Sequence, residues 1–441
     1  MASIRDDQFN RLSALKPART AEPKRKRQDP ATPGYSTAIP QSAEHLARLV
    51  GASPQKTRFG EHLALRRWFS DPPPCDVALP SVRLIAPGAP EEAADPRNWL
   101  FLDTETTGLS GGTGTYAFLI GIAWWDAGGL EVEQFFMRDH SEEHSVLIAL
   151  KERLAERRVL VTFNGKSFDW PLLETRYRMT RSISVKPPRA HLDLLHPARH
   201  LWRQRIGSVR LSELERHVLG RNRGSDIVSD LIPQIYFDYL RGGSVESLVP
   251  VFYHNQMDLV GLAALAGRVC SLLAAPESQS TDVLEIFGVS RICDQRGESA
   301  RARDLYAHAI ARELPQPADG TARAALARLA KREGDFARAI SLWMDLRGAT
   351  RVGLEAYVEL AKYYEHRARQ PLRAAELIDE ALRELRRART FGSASPDCTI
   401  GLRTELGKRM SRLQLKCGKP RASRLWPPDF TESRPGAGES K

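Results

Sequence analysis

The sequence predicts an α/β layered domain followed by an all-α helical region, and three observations carry that expectation. Between residues 99 and 178 the pattern runs strand, hairpin, helix, strand, helix. Beyond residue 280 it turns helical and repeats itself. The 441 residues are 42% hydrophobic and 27% charged, the composition of a globular chain. At ~100–200 residues per domain this length suggests two or three domains and excludes disordered and fibrous classes.

Residues 1–40 contain the run Lys24-Arg25-Lys26-Arg27 and no helical or strand period, which predicts a disordered basic arm. Residues 41–95 are expected to form an N-terminal extension with short helices at 43–50 and 60–69, cut by Pro72-Pro73-Pro74. The layered domain is expected to span 96–272. It opens on the apolar strand 99–102, which ends at Asp103. The glycine-rich loop 110–114 leads into a long buried strand over 115–125. A turn at 126–129 returns the chain along 130–137, a β-hairpin pattern. Ser141 precedes a helix to about residue 156, whose apolar face is Val146, Leu147, Leu150 and Leu154. A short strand over 159–163 and a helix over 168–178 follow.

The helical-repeat region is expected over 280–425. Arg296-Gly-Glu298 with Ala302 recurs as Glu333-Gly-Asp335 with Ala339, 37 residues on, and Leu329-Ala-Lys331 is echoed by Leu360-Ala-Lys362. Helix pairs near this period with alanines at their crossings are tetratricopeptide-like, and lone helical hairpins give a similar pattern. Residues 426–441 are expected to be a disordered tail.

Four carboxylates carry the chemistry. Asp103 and Glu105, two apart on a strand, point to one face and repel each other unless a cation neutralises them. Hard oxygen ligands suit Mg2+ or Mn2+. An exposed edge with two solvated acids is the alternative, and the apolar lead-in argues against it. Asp169 lies in Asn164-Gly-Lys-Ser-Phe-Asp169, past a second strand at a helix start, where a simple cap would also read this way. Asp258, in Tyr253-His-Asn-Gln-Met-Asp258, shares a helix face with His254 four residues earlier, while Tyr253 is rotated about 140° away.

Together the strings Asp103-Thr-Glu-Thr-Thr-Gly-Leu109 and Asn164-Gly-x-x-Phe-Asp169, followed by Asp258, resemble the three motifs of the DEDD 3′→5′ exonucleases, which share the ribonuclease H-like fold. Within that superfamily the chain is similar to the YprB-like bacterial proteins, through its glycine-rich stretch 110–114 and His191-Leu-Asp-Leu-Leu195. The resemblance covers roughly residues 58–270 well and the helical repeats loosely. It implies a mixed sheet with flanking helices and hydrolysis of phosphodiester bonds of single-stranded DNA or RNA from a 3′ end. Two Mg2+ or Mn2+ ions would be held with Asp103 as the bridge, Glu105 and Asp258 completing one site and Asp169 supporting the other. His254 would be the base, with Tyr253 as the alternative, because this chain has His and Tyr at each other's usual spacings. Thr106, Gly108 and Leu109 would approach the terminal nucleotide, and Asn164 and Lys166 would complete the substrate-binding set. A solvated lysine is the alternative at 166. Asp193 reads either as a fifth acid or as a structural residue.

The net charge of +11 is concentrated between Arg383 and Arg424, where twelve Lys or Arg face three acids. Such a field attracts polyanions, although a solvated helix surface has the same composition. Arg199, Arg203, Arg205 and Arg210 form a further basic segment. Five scattered cysteines form no C-x-x-C pair, and His191, His196 and His200 have no second cluster to complete a zinc site. The longest nearly apolar run, 117–125, is shorter than the ~20 residues that span a bilayer. No secretory pattern opens the sequence. These features lead us to expect a cytoplasmic protein with a nucleic acid partner and no membrane association. The rival readings are a catalytically weak nucleic-acid-binding scaffold whose repeats recruit a protein, and a structure-directed endonuclease.

Overall fold

The computed structural model describes residues 38–71, 77–108, 113–126, 128–224, 226–348, 350–390 and 396–417. Residues 1–37 of the expected basic arm, the Pro72–Pro74 break, Leu109 and most of the glycine-rich loop, and the tail lie outside these residues, while residues 38–40, expected in the arm, open a helix. Helix α1 (Ala38–Val50) is followed by strands β1 (Ser53–Thr57) and β2 (Gly60–Phe69), and then by helix α2 (Leu79–Ile85). The expected helix over 60–69 is therefore a strand. Its sequence has a helix-compatible pattern, but pairing with the hairpin strand decides: Leu63 lies opposite Phe136 and Phe69 opposite Leu130.

Strands β3 (Trp99–Thr106), β4 (Ala117–Asp126) and β5 (Gly129–Phe136) form the expected meander. Helix α3 (Glu143–Glu156), strand β6 (Val159–Thr162), helix α4 (Asp169–Thr180) and the unanticipated strand β7 (Ala190–Asp193) complete the sheet. The strand order is β1-β2-β5-β4-β3-β6-β7. β3, β6 and β7 are parallel, and the other pairings are antiparallel. The C-terminal ends of β3, β6 and β7 thus meet at one edge of the sheet.

Side-chain alternation sorts the strand residues onto two cores. Trp99, Phe101, Ala123 and Trp125 face one side, and Leu100, Leu102, Ile122 and Trp124 face the other. Asp103 and Glu105 continue the first series. Helices α5 (Leu195–Ile206), α6 (Leu211–His217) and α7 (Ile232–Leu240) follow, then the 26-residue helix α8 (Val249–Ala274). α8 is long and apolar enough to cross a membrane by length and composition alone, which the nine-residue strand run gave no hint of. It lies instead against β3, β4 and β5, with Leu259, Leu262, Ala263 and Ala266 in the first core.

The C-terminal region is all helical: α9 (Val283–Gln295), α10 (Ser299–Ala311), α11 (Ala318–Glu333), α12 (Phe336–Leu346), α13 (Arg351–His366), α14 (Pro371–Thr390) and α15 (Pro396–Lys416). The echoed motifs fall at equivalent turns. Gly297 (φ +82°) and Gly334 (φ +85°) take the left-handed conformation, and Ala302 and Ala339 are fully buried at the helix crossings. The first core runs from the sheet through α9 and α10 as far as Leu329, and a separate core joins α12, α13, α14 and α15.

Candidate active site

The site lies at the sheet edge where β3, β6 and β7 end. Asp103 and Glu105 occupy one face of β3, beside helix α8. Gly121 of β4 pairs with Asp103, and a Cβ on it would come within 2.1 Å of Asn255 Oδ1. The bare glycine thus opens the space in which Asn255 Nδ2 donates to Asp103 Oδ2 (2.7 Å). Gln134 Nε2 donates to Asn255 Oδ1 (2.7 Å), and Gln256 Nε2 donates to Gln134 Oε1 (2.7 Å). A fully buried amide relay therefore fixes the first carboxylate.

Asp169 opens α4 on the opposite side of the edge and is buried; Thr104 Oγ1 donates to its Oδ1 (2.5 Å). The loop before it is clamped by Asp193, which accepts from the backbone amides of Asn164 (2.9 Å), Lys166 (3.0 Å) and Leu195 (3.1 Å). Between the two readings left open for Asp193, these bonds favour the structural one. Asn164 stands in the left-handed region at φ +70°, which an Asx side chain tolerates better than most. Thr106 Oγ1 donates to Gly108 O (2.9 Å), and Lys166 is exposed. Leu109 lies outside the described residues.

Electrostatically the acids are frustrated. Burial, then Asp258, Glu105 and Asp169, push Asp103 well above the usual carboxylate range. Burial raises Glu105 to about 8 and Asp169 to about 6. Among the described residues none of these three carboxylates has a lysine or arginine at ion-pair distance. That uncompensated set of hard oxygen donors, Asp169 buried and Asp103 and Glu105 half-buried, fits a divalent cation in its chemistry.

Asp258 differs. Its Oδ1 pairs with Arg223 Nη1 (2.5 Å), and the same guanidinium is held by Glu215 (Nη2–Oε1 2.5 Å) and Asp226 (3.3 Å). As the side chains stand, no three Asp, Glu, His or Cys among the described residues are arranged to hold one metal ion. His254 Nδ1 lies 2.8 Å from Asp226 Oδ1, and Nε2 lies 3.5 Å from Asp258 Oδ2. Burial alone would lower the pKa of His254; Asp258, Glu105 and Asp226 outweigh it, and the net shift is upward. Tyr253, 42% exposed, faces away and lines an apolar groove with Leu49, Trp68 and Met257.

The family profile RNase_H_2, described as RNase_H superfamily, matches residues 100–270, a span that contains all four acids and His254. The chain is also 30% identical over 292 residues to the uncharacterised protein YprB of Bacillus subtilis (strain 168), covering 65% of this chain and 69% of that one. The chain belongs to the YprB-like group of the ribonuclease H superfamily. The mixed sheet with its packed helices fits that ribonuclease H-like fold, and membership implies a nucleic-acid hydrolase.

Within this ribonuclease H-like site, sequence reasoning missed Gly121, Gln134, Asn255, Asp226, Arg223 and Glu215. Only Gly121, a lone glycine in an apolar strand, left a readable signal, that of close approach by another group.

Proposed function

We propose that this chain is a divalent-metal-dependent nuclease that shortens single-stranded DNA or RNA from a 3′ end. The observation that carries the reading is the cluster of Asp103, Glu105 and Asp169, buried or half-buried, mutually repelling and, among the described residues, without a lysine or arginine partner, at the edge where the parallel strands end. Asp103, Glu105, Asp169 and Asp258 would hold Mg2+ or Mn2+, two ions in all. When bound, such ions supply charge neutralisation at the phosphate and acidify water. The chain's own groups do the rest. His254, oriented by Asp226 through Nδ1, keeps Nε2 available to take the proton of the attacking water. Water adds to phosphorus, the P–O3′ bond breaks, and the strand leaves with a new 3′ hydroxyl. Thr106, Gly108, Asn164 and Lys166, from the loops flanking Asp103 and Asp169, would steady the terminal nucleotide.

The engagement of Asp258 by Arg223 favours a second reading, a nucleic-acid-binding scaffold of weak or absent activity whose tetratricopeptide-like helices recruit a protein. One assay separates them. Purified protein is incubated with 5′-labelled single-stranded DNA and RNA and Mg2+ or Mn2+, with EDTA and Asp103→Asn as controls. A ladder shortening from the 3′ end, absent in both controls, is expected. Internal cuts would make the enzyme an endonuclease, and binding without cleavage would leave the scaffold.

A further inference from the structure

We infer that the single strand leaves the candidate active site along the seam between α5 and α9, its phosphates lying over Lys166, Arg199, Arg203, Arg291 and Arg296. The inference rests on the nuclease reading above and deepens it by assigning the path that the substrate takes onto the helical region.

The seam begins in the site itself. Lys166 sits in the loop that presents Asp169, and Asp193 ties that loop to the start of α5 through the amides of Lys166 and Leu195. Along α5, His196, Arg199, His200 and Arg203 fall within one arc of about 100°, since each residue advances by 100°. That arc is exposed or half-exposed, whereas Leu195, Ala198, Leu201 and Trp202 on the other side are buried. α9 packs directly on this helix. A Cβ on Gly288 would lie 2.6 Å from His200 O, so the two backbones are in contact. Arg291, one turn further along α9, is brought beside His200, and its field together with that of Arg296 reaches the His200 ring. Arg296 donates to Leu84 O (2.8 Å) and Ile85 O (3.3 Å), a position from which its charge also reaches Lys166. These placements put the cations on adjoining faces of α5 and α9, beside the loop that presents Asp169.

Their state of pairing sets them apart. None of the five has a carboxylate at ion-pair distance among the described residues, although the neighbouring arginines do. The acids that could neutralise the five are already engaged. Asp294 pairs with Arg332 (2.8 Å) and Arg328 (3.9 Å), Glu285 binds Arg268 and the Trp202 indole, and Asp193 is occupied by backbone amides. Uncompensated cations spaced along a seam match a repeating phosphodiester charge, which they would bind without reading sequence.

The test is Arg199→Gln/Arg203→Gln/Arg291→Gln, three exposed or half-exposed positions outside the catalytic set, made in the full chain. Binding of a labelled single strand of about 15 nucleotides is followed by anisotropy across a salt series, in an Asp103→Asn background so that the strand survives. The slope of log affinity against log salt should fall by about 2, since each phosphate neutralised on a single strand adds about 0.7 to it. The corresponding triple Lys variant should restore it. With Asp103 intact, cleavage of an oligonucleotide of about 3 residues, too short to reach the seam, should be unchanged. An unaltered salt slope in the Gln variant, with the parent binding normally, overturns the path and leaves the nuclease reading standing. Absence of both binding and cleavage in the unmodified protein overturns that reading and the path with it.

Discussion

Gly121→Ala is a single methyl substitution whose cost follows from the geometry around Asp103. The new Cβ would meet Asn255 Oδ1 at 2.1 Å and Leu259 Cδ1 at 2.7 Å, both far inside contact distance. Asn255 is fully buried and held at both ends, by Gln134 and by Asp103, so it cannot swing aside without breaking a bond. Losing the charge-assisted bond costs about 1.5–3 kcal/mol and the neutral amide bond about 0.5–1.5 kcal/mol. Removing glycine from a strand returns roughly 0.5–1 kcal/mol. The net destabilisation is therefore about 1–4 kcal/mol, measurable by urea unfolding, and hydrolysis should fall as Asp103 loses its anchor. The decisive control is a double-mutant cycle with Asn255→Ala, which removes the group that the methyl strikes. In that background the alanine should cost clearly less, the remaining penalty being its 2.7 Å approach to the buried Leu259 Cδ1. An equal penalty in both backgrounds would refute the reasoning.

Asp103→Asn should abolish hydrolysis yet raise the thermal stability of the metal-free protein, because it relieves repulsion among crowded carboxylates. Mg2+ should then raise the melting temperature of the parent far more than that of the variant. Asp193→Ala leaves three backbone amides without their acceptor and should cost about 2–4 kcal/mol while slackening the loop before Asp169; preserved stability in urea would contradict that role. His62, fully buried with Nδ1 2.8 Å from Ser145 Oγ, is pushed down by burial to about 4 from 6.5. It is neutral in the fold and protonates more readily when unfolded, so its contribution is complete above pH 6.5 and is lost as pH falls toward 4. At 1.36 kcal/mol per unit the loss amounts to at most about 3 kcal/mol. Unfolding curves at pH 7 and pH 5 should converge in His62→Gln, and an unchanged pH slope in that variant would argue against it.

How much could be read in advance depended on sequence separation. Asp103, Glu105, Asp169, His254 and Asp258 were legible because each sits in a short string with a local rationale: two-residue alternation, a helix start, a four-residue helical step. The partners that set their behaviour were not. Asn255 meets Asp103 from 152 residues away and Gln134 from 121, and Asp226 meets His254 from 28, across loops that carry no period. β2 misled because Leu63, Leu65 and Trp68 suit a helix as well as a strand, and only the partner strand β5 breaks the tie. β7 escaped notice because it is four residues long and carries a histidine and an aspartate.

The first core, which ignores the boundary that composition suggests near residue 275, has a consequence for how the molecule comes apart. Phe287, Ile286 and Val289 of α9 lie in the same buried mass as Trp99, Phe101 and Trp125. Proteolytic removal of everything after α8 would uncover the buried apolar faces of α5 and α8 that α9 packs against and leave an aggregation-prone remnant rather than a minimal enzyme. The division of cooperative units falls instead within α11, where Leu326 and Leu329 serve the sheet-side core while Ala327 and Ala330 serve the outer one. Amide hydrogen exchange should record that partition: α12 to α14 would open as one unit while the catalytic sheet, with α9 and α10 fastened to it, stays protected. In that sense the first helical hairpin belongs to the nuclease domain, and only the outer helices are free to vary in what they carry.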